Sequence, residues 1–435
     1  MNVVIDIPGA DPQGRVFLTW TPVQATARLV NGGGAGTTVD VTLRSAGTGG
    51  GLVFDATRSD HSKSSLPISL AGDGTGAPFW IAGEFGRPSS DYGDAAVQAV
   101  DDASGSVLGS RAVMVRIRKN AQSLGAAERD RFLAALGTLN NRGQGAYKDF
   151  RDMHVRATTR EMHGNVGFPP WHRAYVLDLE RALQNIDATA AVPYWRFDQA
   201  APDVFTAAFM GVDGGAGLVH FTPGHPFQNW RTDGQLGIVR SLRFSINGPA
   251  NVIDEASTLA LGNNYDPFQT DGNNGFEIDP HGAAHVSFSG PINLIPTAVR
   301  DPLFFMLHAN VDRLWAKWQW YYHHAAFTDP GAFAPPLPPP PSVGHNLGDT
   351  MWPWNGITGP PRPLTAPGGP FPGSMVTPAP GLQPRVQDML DYQALGGGDH
   401  LGFAYDDVPF ELPPALVAAA GPPSAGGSGS TAGQP

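Results

Sequence analysis

Six of the thirteen histidines fall into two groups of three, and their spacing constrains the fold more than any other feature of the chain. The first group is His154, His163 and His172, separated by nine residues and nine residues. On one continuous helix nine residues turn through about 900°, which puts the ends on opposite faces. Gly164, Gly167, Pro169 and Pro170 interrupt the chain after His163. The spacing therefore predicts His154 near the end of one helix, His163 in a loop and His172 in the first turn of the next. Pro170 suits that helix start. Three imidazoles can then converge from three directions. In the second group His281 and His285 stand at i, i+4 on one helix face, where both reach one ion. His308 lies 23 residues further on, in another apolar helix.

Each group offers three imidazoles and neither a carboxylate nor a thiolate. Imidazole suits zinc, copper, iron and nickel. Zinc proteases with a His-x-x-x-His pair carry Glu directly after the first His; Gly282 stands there, which excludes that reading. A single three-histidine site would resemble the zinc hydrase arrangement. Two of them in one helical region point to a metal pair acting on one small molecule. The chain has no cysteine. Disulfides, thiolate metal sites, iron–sulfur clusters and cysteine nucleophiles are excluded together. A formal charge of −11 with no Lys/Arg cluster argues against nucleic acid or an anionic membrane as partner. No apolar run reaches the roughly 18 residues of a membrane helix. The first twenty residues lack the basic segment and apolar core of a Sec-type signal peptide. The expectation is a soluble protein, cytoplasmic or otherwise, working on a small molecule.

Three regions follow from local pattern. Residues 1–118 read as an all-β sandwich: short alternating or β-branched runs at 3–7, 15–20, 37–43, 66–70, 78–82, 95–100 and 113–117 are separated by glycine-rich turns. From 119 to 412 the pattern is mainly helical, with helices expected from about 123 and at about 145–160, 170–187, 279–286 and 298–323. Long loops intervene, above all 198–275. The Pro- and Gly-rich stretch 327–380, with the run Pro338 to Pro341, is expected as extended loop over the surface. Residues 413–435 cannot bury a face and are expected as a flexible tail. His61, His220, His225, His323, His324, His345 and His400 have no partner at ligand spacing and are expected to be structural or solvated. Trp315, Trp318 and Trp320 share a long helix with Phe304 and Phe305 and are expected in the core.

The motifs around the histidines resemble those of the tyrosinase, catechol oxidase and hemocyanin family, the type-3 copper proteins. The resembling stretches are Phe168-Pro169-Pro170-Trp171-His172-Arg173, Pro193-Tyr194-Trp195-Arg196-Phe197-Asp198, Pro280-His281-Gly282-Ala283-Ala284-His285 and Asp301-Pro302-Leu303-Phe304, running on through His308-Ala309-Asn310-Val311-Asp312-Arg313. Phe403-Ala404-Tyr405 looks like the family's terminal aromatic-x-Tyr motif. The resemblance covers about 120–410. It implies a four-helix-bundle core and two copper ions, one on His154, His163 and His172, the other on His281, His285 and His308. Such a pair takes up O2 and oxidises a catechol to an o-quinone. By the same resemblance Glu277, in Glu-x-x-Pro-His, looks like the glutamate that holds a water and accepts a phenol proton. Phe304 resembles the ring that lies over the ligands and gates the pocket, and Ile295 a pocket wall. Asp312 would bond the imidazole side of a ligand, or Arg313.

Three departures bear on activity. Gly282 stands where many monophenol-hydroxylating members have Asn, Leu307 where most have a second His beside the ligand, and there is no cysteine for a Cys–His thioether. His163 would therefore be held by packing and by its second nitrogen's hydrogen bond. The first two departures argue against monophenol hydroxylation; none removes a copper ligand. The leading expectation is an O2-dependent oxidase of o-diphenols or o-aminophenols. A full tyrosinase and a hemocyanin-like O2-binding protein are the alternatives, the latter needing its pocket shielded. The β-region would do that shielding, or serve only folding and assembly.

Overall fold

The computed structural model describes residues 1–412 except 32, 33, 35, 59–61, 156–158, 216, 271–274 and 339–342. The expectations for His61 and for the tail 413–435 lie outside the described residues. The N-terminal region folds as two facing sheets. Strands β1 (Asn2–Asp6), β3 (Val23–Val30), β7 (Ala77–Gly83) and β5 (Leu52–Asp55) form one, in the order β1-β3-β7-β5. Strands β2 (Val16–Leu18), β9 (Val107–Val115), β8 (Ala95–Asp101), β4 (Thr38–Gly47) and β6 (Ser65–Ala71) form the other, in the order β2-β9-β8-β4-β6. Every pairing is antiparallel except β2 with β9. Alternation sets the register: Ala25, Ala27 and Leu29 on β3 point inward with Val41 and Leu43 on β4, and Phe54, Phe79 and Ile81 fill the space between the sheets.

The rest of the described chain packs eight helices and much irregular structure on a second core. The helices are α1 (Ala126–Asn140), α2 (Tyr147–His154), α3 (Thr159–Met162), α4 (Phe168–Gln184), α5 (Glu255–Leu259), α6 (Tyr265–Thr270), α7 (Ala283–Val286) and α8 (Leu303–Tyr322). Pro169 and Pro170 occupy the first turn of α4, where their missing N–H groups cost nothing. The centre is built on α4 against α8, both buried nearly all round. The structure does not confirm the expected four-helix-bundle core: of the helices carrying the six histidines only α4 and α8 are long. α2 has eight residues, and α7 has four after an irregular turn, Glu277–Gly282, in which Pro280 and the extended Asp279 break regular helix geometry.

The two cores meet along a polar seam. Arg118, fully buried, donates to Glu180 on α4 (2.9 Å), to Asp312 on α8 (3.0 Å) and to the Tyr405 hydroxyl (2.8 Å), with its guanidinium 3.8 Å above the Phe403 ring. Trp20 Nε1 reaches the Tyr405 carbonyl (2.8 Å), and Ala404 packs in the β core. The Pro-rich segment departs from its expected surface path. Met351, Trp352, Trp354 and Phe371 are buried in the helical core. The Trp352 carbonyl accepts from Trp171 Nε1 (2.6 Å), and Trp354 Nε1 donates to Asp178 (2.6 Å). Proline decided the backbone and the aromatic side chains decided the burial. No helix among the described residues is long and apolar enough to cross a membrane.

Candidate metal centre

The fold brings each histidine group to one point. In both groups the three candidate ligand nitrogens lie within 4.8 Å of one another. The groups also face each other: His172 stacks on His308 with ring centroids 4.5 Å apart, and His163 lies 6.4 Å from His281. His154 ends α2, His163 follows α3, and His172 sits in the second turn of α4. His281 and His285 share one face across the turn and α7, and His308 lies within α8.

Backbone carbonyls orient four of the rings. Nδ1 of His172 bonds Phe168 O (2.9 Å) and Nδ1 of His281 bonds Glu277 O (2.8 Å), each one turn back. Nδ1 of His154 bonds Ile295 O (3.0 Å), and Nδ1 of His285 bonds Ile292 O (2.7 Å). Nδ1 therefore carries the proton in these four, leaving the Nε2 lone pair for an acceptor's role or a metal. Nε2 of His154, His172 and His281, with Nδ1 of His163 and His308, is buried without a hydrogen-bond partner. Nε2 of His285 meets Nε2 of His308 at 3.2 Å. Orphaned polar atoms of this number are costly unless something binds them, and a cation on each triad takes up the three orphaned Nε2 lone pairs. Burial and the neighbouring imidazoles hold all six rings neutral: His154 is pushed down to about 3, His285 by burial to about 4, and the other four well below the usual range. Neutral imidazole is the metal-binding form. The residues present fit two metal ions.

A cavity of about 220 Å³ opens on the centre, lined by His154, His163, His281 and His285 together with Glu277, Gly282 and Ile295. Ile278, Val286 and Ile295 are the exposed apolar residues of its lining. Burial raises Glu277 to about 7, against the Gly164 and Asn165 N–H groups and Gln269, which favour its ionised form. Its carboxylate accepts from Gly164 N (2.7 Å) and Gln269 Nε2 (3.2 Å). Gly282 has an ordinary helical backbone (φ −60°), and a Cβ there would meet only Glu277 O, at 3.4 Å. Its missing side chain leaves room in the cavity.

Three expected details differ. Phe304 lies over the ligands as expected, stacked on His308 at 4.0 Å and edge-on to His154 at 4.8 Å, but it is fully buried and does not line the cavity, so it is no gate. Asp312 bonds neither an imidazole nor Arg313. It accepts from Arg173 Nε (2.5 Å), Arg118 and the Tyr405 hydroxyl, tying α8 to α4. His163 lacks the expected bond at Nδ1. Sequence reading also missed Phe168, whose ring lies 4.4 Å from His172 and 4.6 Å from His281. A signal was present, since Phe168 precedes His172 by the same four residues that separate Phe304 from His308. Gln269, which joins Glu277 to the Asn165 carbonyl (3.2 Å), gave none.

Comparison with known proteins accords with this geometry. The family model for the common central domain of tyrosinase matches residues 144–321, which hold all six histidines. A tyrosinase of Streptomyces antibioticus is 31% identical over 267 residues, covering 56% of this chain and 94% of that protein. One from Streptomyces glaucescens is 32% identical, covering 55% and 92%. Hemocyanin 2 of Megathura crenulata is 28% identical over 48% of this chain and 7% of its own length. Tyrosinase-type enzymes are oxidoreductases that bind two copper ions and use O2 as co-substrate, and with two histidine triads able to hold them the chain belongs to the tyrosinase family of type-3 copper proteins.

Proposed function

We propose that the protein oxidises o-diphenols, and o-aminophenols, to their quinonoid products at a dicopper centre. The observation that carries the reading is the opening of both triads onto one cavity that also holds Glu277. His154, His163 and His172 would hold one copper, and His281, His285 and His308 the other. The copper pair supplies the path for electrons from the phenol to O2. Two catechols give up two electrons and two protons each, and O2 takes all four of each to become two waters.

The chain's own residues bind, orient and move protons. Ile295, Ile278 and Val286 offer apolar surface to an aromatic ring at the cavity mouth. Glu277, raised by burial to about 7, accepts a phenol proton, directly or through water, near its own pKa. Phe168 and Phe304 pack on the imidazoles and keep water from behind them. The described residues of 1–118 contribute nothing to the cavity wall, which favours an enzyme with an open site over a shielded O2 carrier. We assign 1–118 and 119–412 as two domains, the first supporting the fold of the second.

The test is O2 uptake by the copper-loaded protein with catechol, 4-methylcatechol and o-aminophenol. Uptake with quinonoid product is expected; none with any of the three overturns the oxidase reading. Gly282→Asn introduces an amide beside Glu277 without backbone strain. It is expected to raise monophenol oxidation several-fold over the parent, measured with tyramine. No gain contradicts the role given to the space at 282.

A further inference from the structure

His163 is the ligand with the least local support. His308 also lacks a bond at Nδ1, but it lies fully buried inside a twenty-residue helix between two stacked rings. His163 stands in the connection from α3 to α4, ahead of Gly164 at φ +70°. No cysteine exists to tether it. Glu277 and Gln269 hold the far side of this loop through Gly164 N and the Asn165 carbonyl; a second anchor stands on its near side.

Two residues earlier, Glu161 is 2% exposed. Its Oε2 accepts from Arg362 Nε (2.9 Å), and its Oε1 accepts from Arg362 Nη2 (3.1 Å) and from the backbone N–H of Trp352 (2.9 Å). Arg362 Nη2 also donates to Thr350 O (3.0 Å). The approach is close enough to require glycine opposite: a Cβ on Gly344, which has φ +72°, would lie 2.5 Å from the Glu161 Cγ. The same Pro-rich segment, a strap over the helices, grips α4, because the Trp352 carbonyl holds the indole of Trp171, the residue before His172. One forked ion pair thus joins the His163 connection to a segment already locked onto the helix of the next ligand.

We propose that the buried Glu161–Arg362 pair is the brace that fixes His163 for metal binding, doing through two parallel hydrogen bonds what a covalent tether or an imidazole bond would do. Glu161 and Arg362 are positioning residues that touch neither metal nor substrate. The inference rests on His163 being a copper ligand. A planar guanidinium suits the role, because its fork sets direction as well as distance, which a lysine ammonium cannot.

The full chain, loaded with copper, is challenged with a Cu(I) chelator after reduction, and release is followed for the parent, Glu161→Gln and Arg362→Lys. The apo-protein melting temperature is read for each. The parent is expected to release two equivalents slowly. Glu161→Gln is expected to lose one equivalent at least tenfold faster while the other keeps the parent rate, and Arg362→Lys, which keeps charge but not the fork, to fall between. Parent rates for both equivalents in folded variants would overturn the brace, as would equal acceleration of both, which marks general loosening. If Glu161→Gln does not fold, Arg362→Lys decides alone. A parent that never holds two coppers removes the ligand assignment itself, and the brace with it.

Discussion

Asp312 shows how a residue's neighbours in sequence can mislead. It follows His308 by one helical turn, yet its carboxylate turns away from the imidazoles to Arg118, Arg173 and Tyr405. Removing one partner of such a buried network leaves charge uncompensated, at a cost of about 3–5 kcal/mol. Asp312→Asn is expected to lower unfolding free energy by that order in a denaturant titration; a change below about 1 kcal/mol would contradict the network's role. Asp178 gives a test against pH. Burial raises its folded pKa to about 7, while Trp354 Nε1 and Arg181 pull the other way. The folded state keeps its proton where the unfolded chain, near 3.9, has lost it. Stability is therefore full below about pH 4 and falls as pH rises towards 7, by up to about 4 kcal/mol. Asp178→Asn should flatten that slope, as thermal melts at pH 4.5, 6 and 7.5 would show. At this scale the six histidines were legible because imidazoles at ligand spacing are rare. Their orienting partners were not, because the Ile292 and Ile295 acceptors are backbone oxygens that any residue carries.

Helices were legible where apolar period and end signals agreed. The spacing predicts 170–187 and 298–323; the structure has α4 at Phe168–Gln184 and α8 at Leu303–Tyr322. Strands β3 and β5 escaped. β3, VQATARLV, alternates but packs small alanines inward, and β5 is a four-residue run buried on both faces, too short for a period to show. The Pro-rich strap was misjudged because its composition describes its backbone alone. Trp352 and Trp354 make it part of the core, so Trp354→Ala is expected to cost about 3–5 kcal/mol, as deletion of a large buried ring does. A chemical melt indistinguishable from the parent would return the strap to the surface.

For the whole molecule, the seam at Arg118 matters more than the boundary drawn beside it. Arg118 follows the last strand of the sandwich but is buried between α4, α8 and Tyr405. Trp20 and Ala404 interlock from opposite sides. The sandwich and the helical region are therefore expected to unfold together, as one calorimetric transition of the apo-protein. Two well-separated transitions would contradict the coupling. A chain beginning at residue 119 would lack the guanidinium that neutralises Glu180 and Asp312, and is expected not to fold. The order of the two regions was legible from the change of pattern near residue 120; their shared seam was not, because its contacts span nearly the whole chain.

Copper stoichiometry tests the central claim most directly. The 435-residue chain is titrated with copper, and its near-ultraviolet spectrum is recorded after peroxide is added. The account predicts two coppers per chain and the intense band of a coupled copper pair. One copper or none, or two without the band, would contradict a dicopper centre built on these six histidines.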